Sequence, residues 1–329
     1  MPTSAGTLVA TAEASYHGPR STSLGQPALR RYHGAPLTPG QVSYPAASCG
    51  SAESPAELLA RFDAWLLEHG ERVGVLLVEP QWGSSAGALP WDGALLKQVV
   101  SRAQACGVLV LCDEIMCGLG RHGKGTLFAS EALGIQPDAV TFGKAIAAGV
   151  YPLTGAVLRR GRGALAAQGL KTSQSHTYAA ASIVAMMVAT DVLRELPRWF
   201  AHAARLGDVA RETLCAAVNG RGEGSVVRCR AHGQGLMWGC LFTVDAARCA
   251  GGAAARPEIK AGAMAAFKRQ CKQHRVWPYF VPVGGFMVTP VMDVSEADWR
   301  EAMRRLVRCV EATVEEMDAA FARKETRVE

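Results

Sequence analysis

The fold is decided by the stretch PDAVTFGK at residues 137–144, in which a short apolar run ends in a glycine and a lysine. A second apolar run, VLVLC at residues 108–112, leads directly to Asp113. These runs do not alternate between apolar and polar residues, which is typical of strands covered on both faces. Similar runs occur at about 73–78 and 153–158. We therefore predict a largely parallel sheet with right-handed helical crossovers between its strands.

Helices are predicted on both sides of these runs. The letters SPAE at residues 54–57 supply a capping serine, a proline at the first helical position and a glutamate at the third, so a helix is predicted to begin there. Another helix is predicted at about 92–105, and a long one at about 178–196. The long helix is expected to stop at Pro197, because a proline inside a helix removes a hydrogen bond and clashes with the preceding turn.

The pattern changes near residue 195. Beyond it we predict helices at about 198–218 and 259–274, a terminal helix from about 295, and strands at about 225–231, 236–244 and 286–289. The fold class expected is therefore α/β, with a mostly parallel sheet in a large domain over residues 1–195 and a smaller α+β domain over residues 196–329.

Composition restricts the partners of this chain. The net charge is +6, but lysine and arginine are scattered rather than gathered into a basic stripe, so no nucleic-acid partner is expected. No stretch of about 18 uninterrupted apolar residues occurs, which excludes a predicted membrane span. The eight histidines show no ligand spacing, and no metal site is expected.

The cysteines and the N-terminal segment bear on the compartment. The ten cysteines are widely spread, without a CxxC pair, which favours a reducing environment over a disulfide frame. The first 35 residues are rich in Ser, Thr, Ala and Arg, a composition that resembles a mitochondrial transit peptide. We favour the cytoplasm, because cleavage would remove a motif beginning at Tyr16 that is discussed below.

Three ionisable residues fall at or just beyond the carboxyl ends of predicted strands, namely Glu79, Asp113 and Lys144. Ligands of parallel sheets bind at this edge. A buried lysine amine and a buried carboxylate meet the demands of pyridoxal phosphate chemistry. The amine forms a Schiff base with the cofactor, and the carboxylate keeps the pyridine nitrogen protonated.

A series of motifs shares its order and spacing with a known family. They are YHG at 16–18, EP at 79–80, CDEIMCGLGRHG at 112–123, PDAVTFGK at 137–144, LTGAV at 153–157 and SHTY at 175–178. Together they resemble the class III aminotransferases, which are fold type I pyridoxal phosphate enzymes. The resemblance implies an enzyme that moves an amino group between a small-molecule amino donor and a keto acceptor.

The resemblance also implies roles for the central residues. Lys144 would form the Schiff base and shuttle the proton. Asp113 would pair with the pyridinium nitrogen. Glu114 is adjacent, and the choice between the two acids depends on how this motif is aligned with that of the family. Tyr16 would stack on the cofactor ring, and His17 stays open between packing and support of the ring.

Further residues are implied around this centre. Thr177 would donate its hydroxyl to the cofactor phosphate from the partner subunit of a homodimer, or would cap the following helix instead. Met116 occupies a place near the cofactor where many family members carry glutamine. Trp82 and Ser84 would face the substrate, in a loop that departs from the commoner family version, and Arg121 is one candidate for binding a substrate carboxylate.

One family feature is not found ahead of the YHG motif. Family members carry on the order of 100 further residues there, including a helix start whose backbone N–H groups hold the phosphate. We therefore expect weakened cofactor binding. A truncated, non-catalytic relative that dimerises or binds a partner, and an aminomutase or racemase of the same family, remain alternatives to the aminotransferase.

Two other glycine motifs are rejected. GLGRHG at residues 118–123 matches a dinucleotide-binding pattern, but it does not open a helix directly after a strand. GSSAG at residues 83–87 matches the nucleophile elbow of serine hydrolases, but Pro80 separates it from the preceding strand and Pro90 delays the next helix.

Overall fold

The computed structural model describes residues 6–12, 15–17, 40–46, 53–160, 183–221, 224–248 and 256–325. The chain divides into two compact units, one formed by residues 1–83 and 90–201 and the other by residues 84–89 and 202–329. The domain boundary after residue 195 stays a prediction. Within the described ranges, no helix has both the length and the apolar character needed to cross a membrane.

The first unit contains a six-stranded sheet. Its strands are β1 Leu8–Ala12, β2 Gln41–Tyr44, β3 Val73–Val78, β4 Leu109–Asp113, β5 Ala139–Phe142 and β6 Gly155–Leu158. The strand order is β2-β1-β3-β4-β5-β6. All neighbours pair in parallel except β5 and β6, which are antiparallel. The predicted α/β class with a mostly parallel sheet is thus confirmed.

The first unit contains helices α1 Pro55–His69, α2 Gly93–Ala105 and the short α3 Ala129–Ala132. The starts of α1 and α2 agree with the sequence prediction, whereas α3 is not predicted. The Ser54 hydroxyl accepts a hydrogen bond from the Glu57 amide at 3.3 Å, and the Glu57 carboxylate accepts one from the Ser54 amide at 2.7 Å. This reciprocal capping fixes the start of α1. The Asp92 carboxylate caps α2 by accepting from the Leu95 amide at 2.8 Å.

The predicted helix end at Pro197 is wrong. Helix α4 runs from Ile183 to Ala210 with Pro197 inside it, and it continues as a π-helical turn, Arg211–Cys215, and a short helix α5, Ala216–Val218. An internal proline costs about 3 kcal/mol. The burial of Leu196, Ala203 and Leu206 along the same helix offsets that cost.

Two short strands were also not predicted. Strand β2 lies inside residues 18–53, whose many Gly, Pro and Ser residues are typical of irregular structure, and β9, Tyr279–Val281, lies beside Pro278. Strands of three or four residues carry too little periodicity to be recognised without their partners. The sequence also gave no sign of β1, whose five residues are LVATA.

The second unit is built on a four-stranded antiparallel sheet. Its strands are β7 Val227–Gln234, β8 Met237–Val244, β9 and β10 Gly285–Val288, in the order β7-β8-β10-β9. Helices α6 Arg256–Gln273 and α7 Glu296–Glu325 contribute to its core. There the Phe267 ring stacks on Phe286 with centroids 5.0 Å apart and meets Phe242 edge-on at 5.3 Å. These contacts form the α+β core that the sequence predicts.

A turn-rich segment, residues 114–128, connects β4 to α3 and is held by a buried histidine. The His122 Nδ1 atom accepts a hydrogen bond from the Lys124 amide at 3.2 Å, so the ring proton sits on Nε2, which donates to the Thr126 carbonyl at 3.1 Å. Burial lowers the pKa of His122 to about 4, and the Lys124 charge adds to this. The imidazole is therefore a neutral structural group.

We expect His122 to make the protein less stable in mild acid. The unfolded chain takes up a proton near pH 6.5, whereas the folded protein excludes it until about pH 4. Between these values the unfolded state binds more protons, so the free energy of unfolding falls as the pH drops. The loss from this group between pH 7 and pH 5 is about 2 kcal/mol.

Urea unfolding of the wild type and of His122→Gln at both pH values measures this effect. Glutamine can accept and donate in the same two directions without titrating, so the variant lacks this share of the pH dependence. Equal pH dependence in the two proteins would contradict the assignment.

Candidate active site

The site lies at the carboxyl edge of the first sheet. Strands β3, β4 and β5 are parallel neighbours, and Glu79 follows β3, Asp113 ends β4, and Lys144 follows β5 after Gly143. The carboxyl ends of parallel strands meet at one edge. The charges of Asp113 and Glu79 act on the pKa of Lys144, so the structure brings all three residues together.

Asp113 is fixed by two hydrogen bonds. Its Oδ2 atom lies 2.7 Å from His17 Nδ1, and its Oδ1 atom accepts from the Ile115 amide at 3.1 Å. The side chains of His17 and Asp113 are only 4% and 12% exposed. Burial alone would lower the pKa of His17, but the hydrogen bond to Asp113 and the charges of Glu79 and Asp113 raise it. The pair is therefore a charge-assisted hydrogen bond that orients the carboxylate.

Lys144 occupies an unusual backbone conformation. Its φ is +48°, in the left-handed region, and it begins a short 3₁₀ turn, Lys144–Ala147. Such a conformation costs on the order of 1 kcal/mol for a residue with a Cβ atom, and strained residues of this kind cluster at functional sites. Lys144 is exposed rather than buried as the sequence predicts, because it lies in a turn beyond the end of β5. Partial burial of its amine nevertheless lowers the pKa of Lys144; the charges of Asp113 and Glu79 oppose this, and that of Arg121 adds to it.

The adjacent acid, Glu114, has a different task. It is buried and accepts three hydrogen bonds, from the Ala129 amide at 2.5 Å, the Ser130 amide at 2.8 Å and the Ser130 hydroxyl at 2.5 Å. These donors lie in the first turn of α3, where a negative charge also interacts favourably with the helix dipole. Of the two neighbouring acids, Glu114 therefore holds α3, and Asp113 faces His17.

Glu79 was noted from the sequence only as a residue at a strand end, and its part in the site was missed. It is buried, its Oε1 atom accepts from the Tyr16 amide at 3.1 Å, and its Oε2 atom accepts from the Gly83 amide at 2.8 Å. Burial raises the pKa of Glu79, and the charge of His17 and the two backbone hydrogen bonds oppose this. A glutamate before Pro80 at the end of a buried strand was the available signal.

The other predicted site residues divide into three groups. Tyr16 lies beside His17 and bonds to Glu79 through its amide, and the Met116 side chain lies against Gly83, where a Cβ atom would be 3.0 Å from Met116 Cγ. Ser84 belongs to the second unit rather than to the unit that carries Lys144. Thr177 lies outside the described residues.

Trp82 is almost completely buried, just beyond the sheet edge. It stacks on Trp91 with ring centroids 6.0 Å apart. Within the described residues, neither indole N–H has a hydrogen-bond partner. Buried polar groups normally have one, so these N–H groups are candidate donors to a bound molecule.

The residues at this edge fit pyridoxal phosphate in their chemistry. Lys144 supplies an amine for an aldehyde, and Asp113 supplies a carboxylate for a basic ring nitrogen. The buried His17 Nε2 atom has no protein partner within the described segments, which leaves a polar atom available for a ligand. The described residues contain no cluster of three or more His, Cys, Asp or Glu side chains suited to a metal ion.

The family comparison covers almost the whole chain. The family described as aminotransferase class-III matches residues 4–310. Acetylornithine aminotransferase of Thermosynechococcus vestitus is 35% identical over 146 residues, which are 44% of this chain and 33% of that protein. Aminotransferase PigE of Serratia sp. is 32% identical over 208 residues, or 61% of this chain and 22% of that protein. The chain thus spans about a third or less of the length of these two relatives.

Solved structures show the same fold at low identity. The omega-transferase of Vibrio fluvialis JS17 has a TM-score of 0.76 at 20% identity, over 94% of this chain and 73% of that one. Ornithine aminotransferase of Toxoplasma gondii has a TM-score of 0.70 at 21% identity, over 95% of this chain and 66% of that one, and its structure is described as having partial occupancy of PLP at the active site. The resemblance drawn from the motifs is confirmed: the chain belongs to the class III aminotransferase family.

Proposed function

We propose that this protein is a pyridoxal-phosphate-dependent aminotransferase that moves an amino group between an amine or amino acid and a keto acid or aldehyde. The observation that carries the proposal is the convergence of Lys144 and Asp113 at the carboxyl edge of the sheet, with a lowered pKa for the lysine and a histidine bonded to the acid. The family membership and the cofactor of the Toxoplasma gondii relative support it.

The lysine contributes proton transfer and attachment. When bound, pyridoxal phosphate supplies an aldehyde that exchanges amino groups and a ring that withdraws electrons. A lowered pKa leaves a larger share of the Lys144 amine neutral near pH 7, and a neutral amine can attack a carbonyl carbon. The same Nζ atom can take up and return a proton at the substrate carbon.

The acid and its neighbours hold the ring. The Asp113 carboxylate, oriented by His17 and the Ile115 amide, would place a negative charge at the ring nitrogen. We retain Tyr16, Met116 and Thr177 as further cofactor-contacting residues. Trp82 and Ser84 remain the proposed substrate-facing residues, with the buried Trp82 indole N–H as a hydrogen-bond donor.

We also propose a homodimer in the cytoplasm. The first two turns of α4 expose large apolar side chains, with Ile183 at 72% and Met187 at 65%. Exposed apolar surface of this kind is favourably covered by another protein surface, and a second copy of the chain would bury these side chains. Most cysteines of the described residues are buried, and none of them forms a disulfide with another, which supports a reducing compartment.

Replacing Lys144 tests the central assignment. Wild-type protein loaded with the cofactor should absorb at the edge of the visible range, and borohydride should fix the cofactor to the peptide that contains Lys144. The Lys144→Ala variant should show no such adduct and should lose transamination by at least about 10³-fold. The matched control is Lys97→Ala on α2, which should retain both properties. An adduct that persists without Lys144 would refute the proposal.

Replacing Asp113 tests the role of the charge. Asparagine keeps the shape and one acceptor oxygen but carries no charge, so Asp113→Asn should lower kcat by about 10²- to 10³-fold. Glu114→Gln is the matched control. It should lower the free energy of unfolding by about 1–3 kcal/mol, because a donor in α3 loses its acceptor, and leave kcat of the folded enzyme nearly unchanged. Equal effects on kcat would contradict the division of roles.

Sedimentation velocity tests the dimer. The wild type should sediment as a dimer at micromolar concentration, and the double variant Ile183→Lys with Met187→Lys should dissociate, because two charges would then have to be buried. Val291→Lys, at another exposed apolar position, serves as the control and should remain dimeric. A monomeric wild type would rule out the proposal.

A further inference from the structure

The buried acid Glu79 connects two segments that are distant in sequence. Its two carboxylate oxygens accept from different backbone amides, one at Tyr16 and one at Gly83. Tyr16 lies just beyond β1, and Gly83 lies in the loop that follows β3. Neither amide takes part in a helix or a sheet ladder, so each depends on a side-chain acceptor.

The local packing favours this arrangement. A Cβ atom at position 83 would lie 3.2 Å from Glu79 Oε2 and 3.0 Å from Met116 Cγ, so glycine allows the amide to approach the acid closely. A buried carboxylate is costly unless it is hydrogen-bonded. The two N–H groups, 63 and 4 residues from Glu79 along the chain, meet that requirement at the edge where Asp113 and Lys144 lie.

We infer that Glu79 is a positioning residue, which holds the Tyr16-His17 segment and the start of the Trp82-Gly83 loop in register through a single carboxylate. The inference rests on the proposed function, because Tyr16 is assigned there to the cofactor, His17 to the orientation of Asp113, and Trp82 to the substrate. It adds that the proposed cofactor contacts and the proposed substrate contacts are linked through Glu79, which itself touches neither the cofactor nor the substrate.

The electrostatics agree with this placement. The charge of Glu79 contributes to the raised pKa of His17, and it opposes the lowering of the pKa of Lys144. Glu79 therefore lies within electrostatic reach of both groups. Its hydrogen bonds, rather than its charge, fix the two segments, since each oxygen accepts one backbone amide.

Residue-resolved hydrogen exchange of the cofactor-free protein tests the bridge. In Glu79→Gln the side-chain amide offers one acceptor oxygen and one NH₂ donor, so the amide of Tyr16 or of Gly83 should exchange at least about tenfold faster. The amides of Ala129 and Ser130, held by Glu114, should not change. Gly83→Ala keeps the acid and should accelerate exchange at residue 83 but not at Tyr16, which provides a second test if Glu79→Gln does not fold. Unchanged rates at both amides in these variants would overturn the bridge.

Two further measurements separate positioning from mere stability. Equilibrium dialysis of Glu79→Gln with pyridoxal phosphate should give a dissociation constant about tenfold higher, and KM for the amino donor should rise by a similar factor, while kcat changes little. In Glu114→Gln both constants should stay near the wild-type values although unfolding is easier. If amide exchange accelerates in Glu79→Gln while both constants stay unchanged, the positioning role is refuted.

These experiments distinguish a failure of the Glu79 bridge from a failure of the proposed function. Hydrogen exchange is measured without cofactor, so it reports on the bridge even if the wild type binds no pyridoxal phosphate. Absence of a Lys144 adduct in the wild type would refute the aminotransferase and leave the bridge intact. An adduct in the wild type together with unchanged exchange in Glu79→Gln would refute the bridge alone.

Discussion

The requirement that buried carboxylates be hydrogen-bonded governs the carboxyl edge of the first sheet. Glu79, Asp113 and Glu114 follow or end neighbouring strands, and each accepts at least two hydrogen bonds. A buried acid without donors would cost several kcal/mol. The residues just after the strands supply two of the donors, the amides of Gly83 and Ile115, and the other donors come from segments elsewhere in the chain. The formation of these hydrogen bonds therefore also brings together the segments that form the site.

The three acids recruit two different segments, and this division has functional consequences. Glu114 accepts hydrogen bonds from the first turn of α3. Asp113 draws in the imidazole of His17, and Glu79 draws in the amide of the preceding residue, Tyr16. Two acids on adjacent strands therefore hold consecutive residues of one segment. That arrangement fixes the backbone that carries the Tyr16 ring, whose proposed role requires a fixed orientation.

The sequence predicted what depends on local patterns. Continuous apolar runs identified β3, β4 and β5, and the SPAE letters identified the start of α1, because burial on both faces and helix capping both act within a few residues. It also indicated Asp113 and Lys144 as neighbours, since parallel strand ends converge. The strands β1 and β2 could not be predicted, because each pairs with a strand distant in sequence, and β9 has only three residues.

The errors have the same origin. Pro197 is a strong local signal for a helix end, yet the packing of residues on both sides of it carries α4 through. Glu79 was underrated because its function lies in two backbone amides, one of them 63 residues away, and no pattern within the EP motif records them. Hydrogen bonds to a side chain from a main-chain amide distant in sequence leave almost no trace in the sequence, because any residue except proline can donate an amide.

Asp113 and Glu114 are adjacent and chemically similar, and only their positions in the structure distinguish their roles. Successive residues at a strand end direct their side chains to opposite sides, so two chemically similar acids meet different surroundings. One meets an imidazole at the strand edge that also carries Lys144, and the other meets the N-terminus of α3. Shifting the strand by one residue would exchange the two surroundings. The register of β4 against β3 and β5 therefore determines which acid takes the proposed chemical role and which one holds α3. That register is set by the apolar residues from Leu109 to Cys112 rather than by the acids themselves.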